Sequence, residues 1–80
     1  ERLALEVGVN IQKPLHETLS DREYQVMFMI VSGKTIKEIA QELSLSVKTV
    51  STHRFRLLRK MRMSNNVELA RYAIQYHLID

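Results

Sequence analysis

Three times in this chain a small polar residue of the kind that caps helices is followed, three positions later, by a glutamate. Ser20 precedes Glu23, Thr35 precedes Glu38, and Asn65 precedes Glu68. The first side chain of each pair is placed to accept from an orphan amide of the first helical turn, and the glutamate to accept from the amide of the cap. Apolar residues at helical spacing follow every pair. Ser46 offers a fourth cap, ahead of Val47. Four helix starts within 80 residues leave room for little besides short helices and tight turns, and predict an all-α, four-helix fold.

Composition narrows the classes further. With only two Gly and one Pro the chain is not collagen-like, linker-like or turn-dense all-β. The absence of Cys excludes disulfides, a thiolate nucleophile and cysteine-ligated zinc, so packing of its 45% hydrophobic residues must hold the fold. The longest uncharged run, Tyr24 to Gly33, is ten residues, where a bilayer needs roughly 20. No signal-peptide pattern opens the sequence. The length suits one small domain, and the start at Glu1 suggests a piece of a longer protein.

Residues 1–18 are expected to be a linker or a docked segment, and residues 19–80 the helical domain. Leu3, Leu5, Val7, Val9 and Ile11 alternate as in a short strand, but Gly8 and Asn10 weaken that pattern and Pro14 ends it. Leu15 and Leu19 are the expected docking side chains. The first helix should run to Val31 and stop near Gly33, with Val26, Met27, Ile30 and Val31 on its core face. Phe28 and Met29 make it apolar all round, so one of them should meet another element or a partner. The second helix carries Ile39, Ala40 and Leu43 on one face. It connects through Ser44-Leu45-Ser46 to the third, the outline of a helix-turn-helix and of other helical hairpins.

The third helix has two faces. At 100° per residue, Val50, Leu57 and Met61 fall within about 20° of one another, with His53 at their edge. Nearly opposite lie Lys48, Thr52, Phe55 and Arg59, flanked by Ser51, Arg56 and Arg62. Residues 44–66 hold six Lys/Arg and no acid, whereas residues 1–43 carry a balance of −2 and residues 67–80 of −1. A positive block of this kind suits a polyanionic partner, although a solvated helix surface has the same composition. Short hydroxyl residues early and arginines later suit entry into a major groove, where close approach reads bases and long cations reach phosphates. The fourth helix, expected to run to about His77, has Leu69, Ala70, Ala73 and Tyr76 on one side. Val67, Ile74 and Leu78 form a second stripe, interrupted by Arg71. A small core cannot bury both sides, so the second stripe should meet another copy or another domain.

From Leu19 onward, over about 60 of the 80 residues, the chain resembles the C-terminal DNA-binding domain of the LuxR/FixJ/NarL class of bacterial transcription regulators. The resemblance rests on Leu19-Ser20-Asp21-Arg22-Glu23, on Gly33 to Ala40, and on Leu43 and Leu45-Ser46. It continues through Thr49-Val50-Ser51-Thr52-His53, Leu57, Lys60 and Met61 to Val67-Glu68-Leu69 and Ala73. It implies a third helix in the major groove and a last helix that dimerises, in a LuxR-type effector domain of a two-component response regulator. The surface expected to meet DNA comprises Ser46, Val47, Lys48, Thr49, Ser51, Thr52, His53, Phe55, Arg56, Arg59 and Lys60. Within it the Val47 and Lys48 amides meet a phosphate, Lys48 and Arg56 contact phosphates or bases, Arg54, Arg59 and Lys60 serve the backbone, and Ser51, Thr52 and Phe55 face the groove. The expected dimer surface is Val67, Arg71, Ile74 and Leu78. Partners implied are double-stranded DNA, a second copy, a receiver or sensor domain upstream and, as an optional one, RNA polymerase, with no membrane. The setting implied is the bacterial cytoplasm, at the nucleoid when bound. The chain departs from the family pattern at Ile36, Phe28 and Ser51, where polar residues, and at Ser51 a lysine, are usual. These changes bear on the target sequence rather than on the fold.

No constellation suggests an enzyme, and no cofactor is expected. His16, His53 and His77 lack metal-ligand spacing. Gly33-Lys34-Thr35 lacks the preceding glycine of a phosphate loop. Two rival functions share the helical outline: a protein-interaction module with incidental charge, and a sigma-like promoter-recognition domain.

Overall fold

The caps form as the spacing predicts. In the computed structural model, which describes residues 14–79, the Glu23 amide donates to Ser20 Oγ at 3.2 Å and the Ser20 amide returns to Glu23 Oε1 at 2.9 Å. Thr35 and Glu38 exchange the same pair of bonds at 3.1 and 2.8 Å. Asn65 Oδ1 accepts from the Glu68 amide at 3.0 Å, but the Glu68 carboxylate reaches past the cap to the Ser64 amide at 2.6 Å. The reciprocal half of the third box therefore lands one residue early. From these caps rise α1 (Asp21–Val31), α2 (Ile36–Leu43), α3 (Val47–Met61) and α4 (Asn66–Gln75). The alternating segment from Leu3 to Ile11 lies outside the described residues.

All four helices end alike. One residue takes the left-handed conformation: Gly33 (φ 99°), Ser44 (57°), Arg62 (59°) and His77 (58°). The next amide then donates back five residues, from Lys34 to Met29, Leu45 to Ala40, Met63 to Leu58 and Leu78 to Ala73, which satisfies carbonyls that the helix end would orphan. The same bond swings the residue that donates it toward the core, and Leu45, Met63 and Leu78 all pack there. Leu78 is thus a correction. The chain leaves the helix after Gln75, so the angular register placing Leu78 beside Ile74 no longer applies, and its side chain turns inward.

Helix α1 lies against α2, α3 and α4, and α2 packs on α3. Val26, Met27, Ile39, Val50, Leu57, Met61 and Leu69 are fully buried between them. Of the two extra apolar residues on α1, Met29 turns inward and Phe28 stays exposed. Leu58, one position outside the expected stripe, is also buried, because a helix that meets both α1 and α2 hides a wider arc than one contact requires. On α4 the buried aromatic is Tyr72, while Tyr76, expected in the core, is exposed and stacks on Tyr72 with ring centroids 4.3 Å apart. Leu15–Thr18 forms a 3-10 turn, and Leu15 and Leu19 dock on the core as expected. His16 holds the turn in place. Its amide donates to the Tyr72 hydroxyl oxygen at 3.2 Å, its Nδ1 lies 2.8 Å from that hydroxyl, and the rings of Tyr24, Tyr72 and Tyr76 lie around it at 5.6 to 6.2 Å.

Candidate nucleic-acid interface

Helix α3 is pinned on one side and open on the other. Val50, Leu57, Leu58 and Met61 hold it against α1 and α2, and His53 sits half-buried at the margin. That anchoring leaves Val47, Lys48, Thr49, Ser51, Thr52, Phe55, Arg56 and Arg59 exposed along the length of the helix. With Ala40 buried beneath them, α2, the turn through Ser44 and Leu45, and α3 form the helix-turn-helix that the sequence outlined.

The N-terminus of α3 is built to attract negative charge. Ser46 Oγ accepts from the Thr49 amide at 3.0 Å and lies 2.9 Å from Thr49 Oγ1. The Val50 amide closes the first turn on the Ser46 carbonyl. The amides of Val47 and Lys48 are the remaining orphans, and no acid occupies this turn to compete for them.

Farther along, the side chains divide by what already holds them. The Thr52 hydroxyl donates to the Lys48 carbonyl at 3.1 Å, so its proton is engaged by the helix. The Arg59 guanidinium lies 5.6 Å from the centroid of the Phe55 ring, a cation–π pair on the open face. Arg54 Nε donates to Asn66 Oδ1 at 2.9 Å, tying α3 to the first residue of α4. Sequence reasoning missed this tie, because Asn66 carries no mark beyond its place beside a cap.

Lys60, expected to contact a phosphate, is paired within the domain. Its ammonium lies 2.7 Å from Glu23 Oε1, and Glu23 is the one buried charged residue among the described residues, at 5% exposure. Burial pushes the Glu23 carboxyl up, but the Lys60 ammonium and the Ser20 amide and hydroxyl together outweigh it and hold the group below its ordinary range. The carboxylate therefore stays ionised and keeps Lys60 beside α1. Lys48, Arg56, Arg59 and Arg62 have no carboxylate partner among the described residues.

On α4, Val67 and Ile74 are 66% and 60% exposed, and Arg71 is exposed between them. Leu78 is not with them, having folded back on the core. Arg71 and Arg62 line a shallow pocket of about 290 Å³ together with Met63, Glu68, Tyr72 and Gln75. Among the described residues no group of His, Asp and Glu is arranged to hold a metal ion, and no helix is long and apolar enough to cross a membrane.

A four-helix domain with a helix-turn-helix and a cationic outer helix defines a class, and the comparisons with known proteins agree with it. The family model described as bacterial regulatory proteins, luxR family, matches residues 17–73, and the chain belongs to this family. The transcriptional regulatory protein LiaR of Bacillus subtilis (strain 168) is 42% identical over 65 residues, 81% of this chain and 31% of LiaR. The response regulator UvrY of Escherichia coli (strain K12) is 43% identical over 61 residues, 76% of this chain and 28% of UvrY. Full-length FixJ from B. japonicum, in its crystal structure, matches with a TM-score of 0.76 at 32% identity, covering 82% of this chain and 32% of FixJ. The chain thus spans about a third of the length of the relatives it matches.

Proposed function

We propose that this chain is a DNA-binding effector domain that reads duplex DNA with the open face of α3 and pairs with a second copy through α4. The observation that carries the reading is the exposure, on one side of a helix anchored from the other, of Lys48, Ser51, Thr52, Phe55, Arg56 and Arg59. Lys48, Arg56 and Arg59 supply the phosphate contacts, joined by the Val47 and Lys48 amides at the helix N-terminus, while Ser51, Thr52 and Phe55 meet base edges. Arg54 and Lys60 brace the helix through Asn66 and Glu23. Val67, Arg71 and Ile74 form the pairing surface. The relatives named response regulators support a phosphoacceptor receiver as a partner of this domain.

In vitro selection of duplexes bound by the 80-residue chain, followed by footprinting, tests the proposal. The expected result is a pool enriched in one sequence motif and protected over two half-sites about 34 to 36 Å apart, one helical turn. A pool that stayed random at protein concentrations saturating for non-specific binding would favour a protein-interaction module instead.

A further inference from the structure

Phe55 is out of place on a surface meant for a polyanion. It is 59% exposed in the middle of the open face of α3, and among the described residues it meets the Arg59 guanidinium rather than the core. Thr52, one turn earlier on the same face, has its hydroxyl proton engaged by the Lys48 carbonyl, so what it offers outward is its methyl group and oxygen lone pairs. Ser51 beside it brings no charge. The centre of the base-facing surface is therefore uncharged, with the Phe55 ring and the Thr52 methyl as its apolar part, framed by Lys48, Arg56 and Arg59.

The floor of the major groove displays donors and acceptors on every base, and one apolar group, the C5-methyl of thymine. The phenyl ring and the threonine methyl gain nothing from guanine or adenine edges, and a cytosine amino group that faces the ring finds no acceptor there. We propose that Phe55, with Thr52, makes this domain a reader of thymine methyl groups, so that its target carries thymine where the middle of α3 crosses the groove. This rests on the DNA-binding reading above and adds the chemistry of the target. The Arg59 cation over the ring serves as a positioning group: it holds the phenyl plane and carries its charge toward the backbone.

The test changes the DNA first and then the protein. In the selected duplex each thymine is replaced in turn by deoxyuridine, which removes the methyl and keeps every hydrogen-bonding group. Binding of the 80-residue chain is measured by fluorescence anisotropy. Loss of a buried methyl corresponds to about a fourfold loss of affinity. We expect that loss at one or two positions per half-site, and little change at the others. Phe55→Ala, an exposed substitution whose helicity is checked by circular dichroism, should bind more weakly and discriminate thymine from uracil at those positions by less than about 1.5-fold. A cytosine with a 5-methyl group at the same positions should bind better than plain cytosine, separating recognition of the methyl from recognition of the thymine carbonyl. Uniform tolerance of deoxyuridine by a duplex that is otherwise selected and bound would overturn the inference and leave DNA binding standing. A penalty that Phe55→Ala retained in full would overturn it too. A selection that enriched nothing would remove the DNA-binding reading itself, and this inference with it.

Discussion

At Glu23 a single carboxylate oxygen accepts from the Ser20 amide at 2.9 Å and from the Lys60 ammonium at 2.7 Å, so the start of α1 and the last turn of α3 share one buried group. Because the folded state holds this carboxyl below its ordinary value of 4.5, it binds its proton less readily than the unfolded chain does. Its contribution to stability is complete above the unfolded value and is lost as the pH falls through the lower folded one. Glu23→Gln keeps an oxygen for the cap and removes the charge that faces Lys60. The variant should lose about 1 kcal/mol at neutral pH, a figure reduced because Lys60 is partly solvated. Urea unfolding repeated from neutral pH to about pH 3 should show the difference from wild type shrinking below 4.5. A difference independent of pH would mean that the charge pair contributes nothing. Sequence alone revealed Glu23 only as a capping residue, since its second partner lies 37 positions away on another helix. Left-handed residues were hidden for a related reason. Gly33 reads as a helix stop at once, but Ser44, Arg62 and His77 adopt a conformation that costs an L-residue roughly 1–2 kcal/mol, and nothing local announces it.

Helix starts are legible to the residue because cap chemistry is settled within four positions, and the same locality explains why helix ends are harder to place. Helix α4 shows the difference. Asn65 fixes its start, whereas its end depends on His77 turning left-handed and on Leu78 finding the core, a gain that only the folded domain supplies. Residues of one helix likewise declare their faces through periodicity, so the open side of α3 was readable from Lys48, Thr52, Phe55 and Arg59. The attachment of the 3-10 turn was not. It runs from His16 to Tyr72, 56 positions away, and to Tyr24 on α1 and Tyr76 at the end of α4, which no local pattern pairs with a histidine. Tyr72→Phe tests that attachment while preserving the stacked ring. It removes the oxygen that the His16 amide donates to and the hydroxyl beside Nδ1, leaving two partly buried polar groups without their partner. The cost should be about 1 kcal/mol in thermal or urea unfolding. Hydrogen exchange should localise it, with the His16 amide exchanging faster and the amides of α3 keeping their protection.

On the scale of the molecule, the domain separates what holds it together from what it offers to others. One side of α3, the whole of α2's apolar face and the inner side of α4 close the core on α1, and apart from Phe28 and Tyr76 the large apolar residues left exposed fall on two surfaces with different consequences. Ile74 and Val67 belong to the proposed pairing surface. Ile74→Glu places a charge on a 60% exposed site, so stability should move by no more than about 0.5 kcal/mol. Sedimentation should find the pair lost, and a duplex with two half-sites should be bound no more tightly than one with a single half-site. Retention of tight two-site binding would move the pairing surface away from α4. The cationic surface makes the complementary case, because its charges are unequal. Arg56 has no carboxylate partner among the described residues, whereas Lys60 is matched by a carboxylate 2.7 Å away. Counterions are released only by cations that neutralise phosphates, so Arg56→Ala should weaken binding on every duplex and lower the slope of log affinity against log salt by about one. Lys60→Ala should leave that slope nearly unchanged. Its effect should appear in unfolding instead, because it strands the Glu23 charge in the interior. If the two substitutions changed the slope equally, Lys60 would have to leave Glu23 when DNA binds, and the brace between α1 and α3 would open in the complex.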